Sequence, residues 1–267
     1  MIKKVGFLGP TGSFSELAAK NVFPNEELVA KDSIIKVFSG VEKKNLDYGV
    51  VPIENSTGGS VAFTLDELIQ KDVFIACEHY LKINYCFLSN SEKQNVKKIF
   101  SHSQGFLQCR NWIEKNFPDV QLIECSSNSK AAELASKEND CGALATKEAS
   151  GIFGLKLVEE MVNDHKENET RFVVISLEQN DPVGKEKTSC IVSLKNKPGA
   201  LLDTLIPLKE NNINMTNIES RPAKKGWEYL FYIDLVGNIE QENIKKALEK
   251  MKLSTEKIKL LGSYSKK

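Results

Sequence analysis

Asn168-Glu169-Thr170-Arg171-Phe172 runs straight into the apolar Val173-Val174-Ile175. This stretch sets a hydroxyl and a guanidinium at the mouth of a buried strand. The chain before it alternates strand and helix and reads as two walls of a cleft that the strand enters. The chain after it is patterned as a second, smaller domain.

At 267 residues the chain is long for one core and comfortable for two domains. Its 36 Lys+Arg balance 36 Asp+Glu. No strong field is available to hold nucleic acid or an anionic membrane, and neither is expected as a partner. The opening apolar run, 5–8, is broken by Gly6 and reads as a strand rather than a signal peptide. No later run approaches the length of a membrane span. The cysteines at 77, 86, 109, 125, 141 and 190 show no C-x-x-C, and the three histidines show no H-x-x-x-H. Reduced thiols, a cytoplasmic location and no metal site are expected.

In chain order, 2–8 reads as a strand and 9–12 as a Gly-rich loop. Ser13 and Glu16 have capping-box spacing at a helix start. Helix is expected over 33–41, strand over 48–53, a polar loop over 54–60 and helix over 61–69. The apolar 73–88 reads as one long bent strand crossing between lobes. Strand 96–100, loop 101–105 and helix 106–116 follow, with Pro118 as the stop. Strand 120–125, a capping cluster at 126–129, a helix to 137, strand 141–145, a short helix at 146–150 and a return through 155–169 complete the unit. Strands alternating with helices predict a mostly parallel α/β architecture.

Residues 178–187, with Pro182 and Gly184, read as a linker. Beyond it lies a ferredoxin-like βαββαβ pattern: strand 189–194, a helix from 198–200, strands 213–220 and 228–236, helix 241–251 and strand 257–264. Ile244, Ala247, Leu248 and Met251 fall on one helical face. Pro207 costs about 3 kcal/mol in a regular helix interior, so a kink or frayed turn is expected there.

Polar clusters at 9–15, 54–60 and 101–108 follow strands, and 168–172 precedes one. They are rich in neutral hydrogen-bond donors and poor in metal ligands. The first loop is neither a dinucleotide fingerprint nor a P-loop. No Ser-His-Asp triad or G-x-S-x-G elbow is legible. Such a site binds a small anion and excludes water.

Gly9-Pro10-x-Gly12-Ser13-Phe14-Ser15, Pro52-Ile53-Glu54-Asn55-Ser56, Ser101-His102-x-Gln104 with Gln108-Cys109, and Thr170-Arg171-Phe172 resemble, in order, the motifs of prephenate dehydratases. Pro198-Gly199-Ala200-Leu201 and Ile218-Glu219-Ser220-Arg221-Pro222 resemble the phenylalanine-responsive motifs of the ACT domain attached to them. The resemblance covers nearly the whole chain and implies a cytoplasmic carbon-oxygen lyase (hydro-lyase) of L-phenylalanine biosynthesis. Such an enzyme converts prephenate to phenylpyruvate, CO2 and water without a cofactor, and phenylalanine inhibits it through the ACT domain.

The resemblance implies a two-lobed catalytic domain over 1–178, like type II periplasmic binding proteins. Lobe 1 would span about 1–78 and 163–178, and lobe 2 about 79–162, with crossings near 78–80 and 162–169. The ACT domain would span 187–267, and a homodimer or homotetramer is implied. Thr170 carries over as the essential threonine, a positioned donor to the departing hydroxyl. Asn55, Ser56, Ser101 and Gln108 carry over as contacts to substrate or leaving group, and Glu54 as an acid or an orienting group. Ser13, His102 and Gln104 fall in the same pattern, and Phe172 as a wall. Arg171 either pairs with a substrate carboxylate or anchors the strand. Gly199, Ala200 and Leu201 would hold phenylalanine, with Glu219, Ser220, Arg221 and Pro222 closing the pocket from a neighbouring subunit.

Three positions depart from the family pattern. Ser103 stands where proline is usual, 127–129 lack the usual Thr-Ala, and Lys147-Glu148 replace small residues. The rival readings are an arogenate dehydratase, with the same chemistry on an amino-acid side chain, and a two-lobed sensor without chemistry.

Overall fold

Short apolar runs bounded by Gly, Asn, Ser and Pro assemble into three sheets in the computed structural model, which describes residues 2–179, 186–223 and 229–267. The first lobe holds β1 (Lys4–Leu8), α1 (Phe14–Val22), β2 (Glu27–Lys31), α2 (Ile34–Glu42), β3 (Tyr48–Asn55), β4 (Gly59–Ser60), α3 (Ala62–Gln70) and β5 (Phe74–Lys82). The second holds β6 (Cys86–Ser89), β7 (Lys98–Ser101), α4 (Ser103–Gln108), α5 (Arg110–Asn116), β8 (Gln121–Glu124), α6 (Asn128–Ala135), β9 (Cys141–Ala145), α7 (Lys147–Phe153) and β10 (Lys156–Glu159). The chain then returns as β11 (Glu169–Ser176), inserted between β3 and β5.

The first sheet has the order β2-β1-β3-β11-β5, and the second β10-β6-β9-β7-β8. β1 runs parallel to β2 and β3, and β7 parallel to β8 and β9. The strands next to the crossings, β11 in one lobe and β6 in the other, run antiparallel to their neighbours. The returning strand is thus wedged into the first sheet, between strands that precede the second lobe in sequence.

Several expected boundaries move. The outward crossing lies at 83–85, not 78–80, because β5 stays paired with β11 as far as Lys82. The return runs between β10 and β11, and the two crossings are tied together. Ile83 N–H donates to Asn168 O (2.8 Å) and Val162 N–H to Tyr85 O (2.9 Å). The polar stretch 54–60 is not an open loop, since β3 continues to Asn55 and folds back on β4. The helix expected from 106 starts at 103, where the His102 side chain accepts the Gln104 N–H (3.3 Å), and is interrupted at Cys109. At α1, Ser13 accepts the Glu16 N–H (3.2 Å), but Glu16 reaches back to Gly12 N–H (2.6 Å) rather than to Ser13.

The C-terminal unit is β12 (Lys187–Leu194), α8 (Ala200–Glu210), β13 (Met215–Pro222), β14 (Tyr229–Val236), α9 (Glu242–Ser254) and β15 (Thr255–Tyr264). Its order β13-β14-β12-β15, with every pairing antiparallel, is ferredoxin-like. The expected linker residues 180–185 and the first residue of the expected strand 228–236 lie outside the described residues. α8 runs on through Pro207 to Glu210. Pro207 is close to the helix end, and its carbonyl accepts the Asn211 side-chain amide (2.8 Å), which closes the last turn.

Cys190, Val192, Ile233 and Leu235 pack with Ile244, Ala247, Leu248 and Met251 of α9. The opposite face of that sheet sets Ile191, Tyr232, Leu261 and Tyr264 into one core with Val51, Ile53, Val173 and Ile175 of the first lobe. The C-terminal domain is therefore packed against the back of the catalytic sheet.

Candidate active site

Side chains alternate across a strand, and on β11 this separates the Thr-Arg-Phe triplet. Thr170 and Phe172 line a cavity of about 300 Å³ between the lobes. Arg171 points to the opposite face, toward the C-terminal sheet. β3 needs one further device. Val51, Ile53 and Glu54 all face the C-terminal domain, yet Asn55 faces the cavity. The register between β11 and β3 slips here: Arg171 pairs with Glu54, but Phe172 pairs with Pro52. This bulge lets two consecutive residues share a face and re-aims Asn55 into the cleft.

Asn55 Oδ1 accepts from the backbone N–H groups of Thr57 (3.0 Å) and Gly58 (2.8 Å). Backbone N–H groups only donate, so the orientation of this amide is settled. Asn55 Nδ2 then donates to Asn168 Oδ1 (2.8 Å) and Thr170 Oγ1 (2.9 Å). Thr170 must accept there, which leaves its own proton free for whatever fills the cavity. Asn168 Nδ2 donates to Gln108 Oε1 (2.6 Å), and Gln108 Nε2 to Thr57 Oγ1 (3.3 Å). The Thr57 hydroxyl donates to Asn55 Oδ1 (2.7 Å) and closes the ring. Each bond has a consistent direction, and the ring joins the first lobe, the crossing and the second lobe.

A second amide orders the other wall. Asn128 Oδ1 accepts from His102 N–H (3.1 Å) and the Ser101 hydroxyl (3.2 Å), so Nδ2 donates to the Tyr85 hydroxyl (3.1 Å). Phe14 meets the Tyr85 ring edge-on at 5.3 Å. Burial pushes the Tyr85 phenol well above its ordinary value and keeps it neutral. Gly105 lets α4 approach this cluster: a Cβ there would sit 2.2 Å from Ser101 Oγ and 3.0 Å from the Tyr85 ring.

The residues expected in the site divide between its lining and its support. Asn55, His102, Gln104, Gln108, Thr170 and Phe172 line the cavity. Ser101 is fully buried behind Asn128. Ser56 binds Glu169 N–H (2.9 Å) and so holds the start of β11. Ser13 caps α1 and donates to Leu8 O (3.2 Å), lining the adjoining groove of about 760 Å³ rather than the inner cavity. Glu54 lies on the opposite face and accepts from Asn217 Nδ2 (3.1 Å).

Arg171 is 4% exposed and bonds Glu78 (2.7 Å), Asp234 (2.6 Å) and the Tyr264 hydroxyl (3.0 Å). Its bonds are all made on the face away from the cavity. Burial disfavours its charge, but the tyrosine hydroxyls, Asp234 and Glu78 outweigh that and raise its pKa. Asn128 and Tyr85 were not singled out from the sequence, and Asn168 and Thr57 entered only as members of the polar clusters 168–172 and 54–60. Asn128 sits in a stretch that reads as a cap, and Tyr85 in a run that reads as strand.

Among the described residues lining the cavity there is no Lys, Arg, Asp or Glu. No group of three or more His, Cys, Asp or Glu among the described residues could hold a metal ion. The lobes are also latched: Thr146 donates to Gly12 O (2.8 Å), and Ser129 to Thr11 O. The arrangement offers an anionic substrate a chamber walled by neutral side chains, with oriented hydroxyl and amide donors.

In the C-terminal domain, Gly199, Ala200 and Leu201 line a cavity of about 350 Å³ with Tyr229 and Phe231. Glu219 and Arg221 do not face it. They bind Ser60 and Asp66 of the catalytic lobe, the latter at 3.0 Å, while Ser220 and Pro222 stay on the open face.

Residues 5–180 match the family model for prephenate dehydratase, and residues 188–252 that for the ACT domain. A bifunctional chorismate mutase/prephenate dehydratase of Aquifex aeolicus is 42% identical over 98% of this chain and 74% of its own length. A prephenate dehydratase of Methanocaldococcus jannaschii is 39% identical over 99% of this chain and 98% of its own. The crystal structure of an Arthrobacter aurescens prephenate dehydratase in complex with L-Phe superposes with a TM-score of 0.90 at 28% identity, covering 98% of this chain and 90% of that one.

Proposed function

The chain belongs to the prephenate dehydratase family, with an ACT domain behind the catalytic part, and we propose how its cleft performs the decarboxylating dehydration of prephenate. The ring C–CO2 bond breaks, its electron pair moves through the ring, and the C–OH bond at the far ring carbon breaks. One proton is taken up, and the dianion yields the phenylpyruvate anion, CO2 and water. The observation that carries this reading is the Asn55 amide. It donates to Thr170 Oγ1 at 2.9 Å, which leaves the Thr170 proton free to be donated to a group in the cavity.

Thr170 donates to the departing hydroxyl. It is too weak an acid to surrender the proton outright near neutral pH, so its value is preorganisation of a donor at the leaving group. The uncharged walls suit the other half of the reaction, in which the ring carboxylate loses its charge to CO2. Asn55, Asn168 and Gln108 orient donors, His102 and Gln104 bind substrate at the second lobe, and Phe172 keeps water out. Ser101, Ser56, Ser13, Glu54 and Arg171 act as supports.

The catalytic work falls to residues 1–178 and the response to phenylalanine to 187–267. The cavity at Gly199, Ala200 and Leu201 suits an amino acid with an aromatic side chain, and the relative described in complex with L-Phe supports that ligand. For inhibition, phenylalanine must bind one arrangement of the lobes more tightly than another. Homodimer or homotetramer assembly through the ACT domains is supported by the edge position of β13 and by exposed Leu202, Ile218 and Tyr229. A cytoplasmic location is supported by six free cysteines.

The test is phenylpyruvate formation from prephenate, and the parallel reaction of arogenate, with and without phenylalanine. Thr170→Val keeps the shape and removes the hydroxyl, and should lower kcat by 10² to 10⁴ (an order-of-magnitude range) with the fold intact. Wild-type protein that turns over neither substrate sinks the enzyme reading. Turnover indifferent to phenylalanine removes the regulatory part alone.

A further inference from the structure

The inner cavity poses a problem that Thr170 does not solve. The substrate brings two carboxylates into a chamber whose lining holds no lysine or arginine. One carboxylate leaves as CO2, and a donor gripping it would hold the charge that the reaction must disperse. The other sits on the side chain and survives unchanged into the product. Neutral donors with a proton to spare must meet it.

Tyr85 has such a proton. It sits at the end of the outward crossing, where its backbone N–H bonds Asn163 Oδ1 (3.2 Å) and its carbonyl accepts Val162 N–H (2.9 Å). Its ring is almost fully buried, yet it lines the same cavity as Thr170. The hydroxyl accepts from Asn128 Nδ2, whose direction is settled by His102 N–H on the other end of that amide. This repeats the Asn55–Thr170 arrangement: an asparagine with a pinned orientation donates to a hydroxyl, and the hydroxyl's own proton is left over. It makes no other hydrogen bond among the described residues.

We propose that Tyr85 is a substrate-binding residue, donating its hydroxyl proton to the side-chain carboxylate that substrate and product share. This rests on the cleft being the prephenate dehydratase site. An interaction equal in ground and transition state changes KM and leaves kcat alone.

Tyr85→Phe, which keeps the ring and its contact with Phe14, is the test. The expected result is a KM for prephenate raised about 10- to 100-fold, the range of a hydrogen bond to a charged group, with kcat within about threefold. Phenylpyruvate keeps the same carboxylate, so its product-inhibition constant should rise by the same factor. Phenylalanine affinity and the melting temperature serve as fold controls and should not move. An unchanged KM overturns the proposal. So does a fall in kcat at constant KM, which would assign Tyr85 to the leaving hydroxyl, or a raised KM with an unchanged phenylpyruvate constant, which would assign it to the departing carboxylate. If wild-type protein turns over prephenate, each of these outcomes bears on Tyr85 alone. If it does not, the cleft reading fails and this one with it.

Discussion

The two faces of β11 are built on opposite electrostatic principles. On the cleft face, Thr170 and Phe172 meet neutral amides and hydroxyls, and at least two hydroxyls keep a proton in hand. On the other face, Arg171 lies among Glu78, Asp234 and Tyr264, with Lys187 also on Glu78 (2.8 Å) and Ser189 bonded to Asp234. That seam is charged, buried and saturated. A saturated network holds the domains in one place, because loss of any partner strands a charge in a dry setting. An unsaturated one is ready to bind. The neighbours Thr170 and Arg171 therefore have different duties.

Breaking the cleft face should give the largest effect. Asn55→Asp removes the N–H that Thr170 accepts, so the hydroxyl turns its proton to the new carboxylate. A loss of about 10³ in kcat/KM is expected, read by steady-state assay with circular dichroism showing a folded protein.

Arg171→Met attacks the other face, leaving Asp234 buried without its cation and Glu78 with Lys187 alone. Removing one partner of a buried pair costs about 3–5 kcal/mol, visible as a lower urea midpoint, while KM for prephenate stays within about threefold. A KM raised tenfold at unchanged stability would return Arg171 to the cleft and dissolve the contrast.

Glu219→Gln tests whether the faces communicate. Glu219 of β13 accepts the Ser60 hydroxyl, and Ser60 and Gly59 rim the cavity. Basal kcat/KM should change less than about threefold, and the phenylalanine concentration for half inhibition should rise about 5- to 10-fold. Equal inhibition of both proteins would place the communication elsewhere.

Gly199→Ala is milder. Gly199 has φ +79°, and a Cβ there meets nothing within 4 Å. Only backbone strain opposes it, about 1 kcal/mol, measurable as a small drop in melting temperature.

The last prediction vanishes at neutral pH. Burial raises Tyr85 in the cleft and Tyr232 and Tyr264 in the seam above the ordinary phenol value. Above roughly pH 10 the unfolded chain releases protons that the folded one keeps. Their contribution to stability is whole below that pH and is lost as pH rises further, so urea midpoints should fall only on the alkaline side.

Much of this was legible without coordinates. Apolar runs and turn signals marked most strands and helices, though not β2, and the βαββαβ unit could be read from the order of its strands and helices. Ser33 and Thr146 cap helices close to where local chemistry predicts, because a cap concerns residues three apart. The errors lie where the chain's path is set by distant partners. β5 extends to Lys82 because β11 pairs with it from far along the sequence. Helix α4 packs as closely as it does against the Ser101–Asn128–Tyr85 cluster, far apart in sequence, because Gly105 carries no side chain.

The sequence by itself determined the elements, their alternation, the two-domain division and the polar clusters that resemble a prephenate dehydratase, since these depend on local spacing and composition. Only the tertiary structure decided which way each polar group points. The triplet Thr170-Arg171-Phe172 shows why. Its place at a strand mouth is a local property, but which alternate residue meets the cleft depends on the sheet's two neighbours. Asn55 reaches Thr170 through a bulge in the strand pairing, and no spacing within 48–55 announces it.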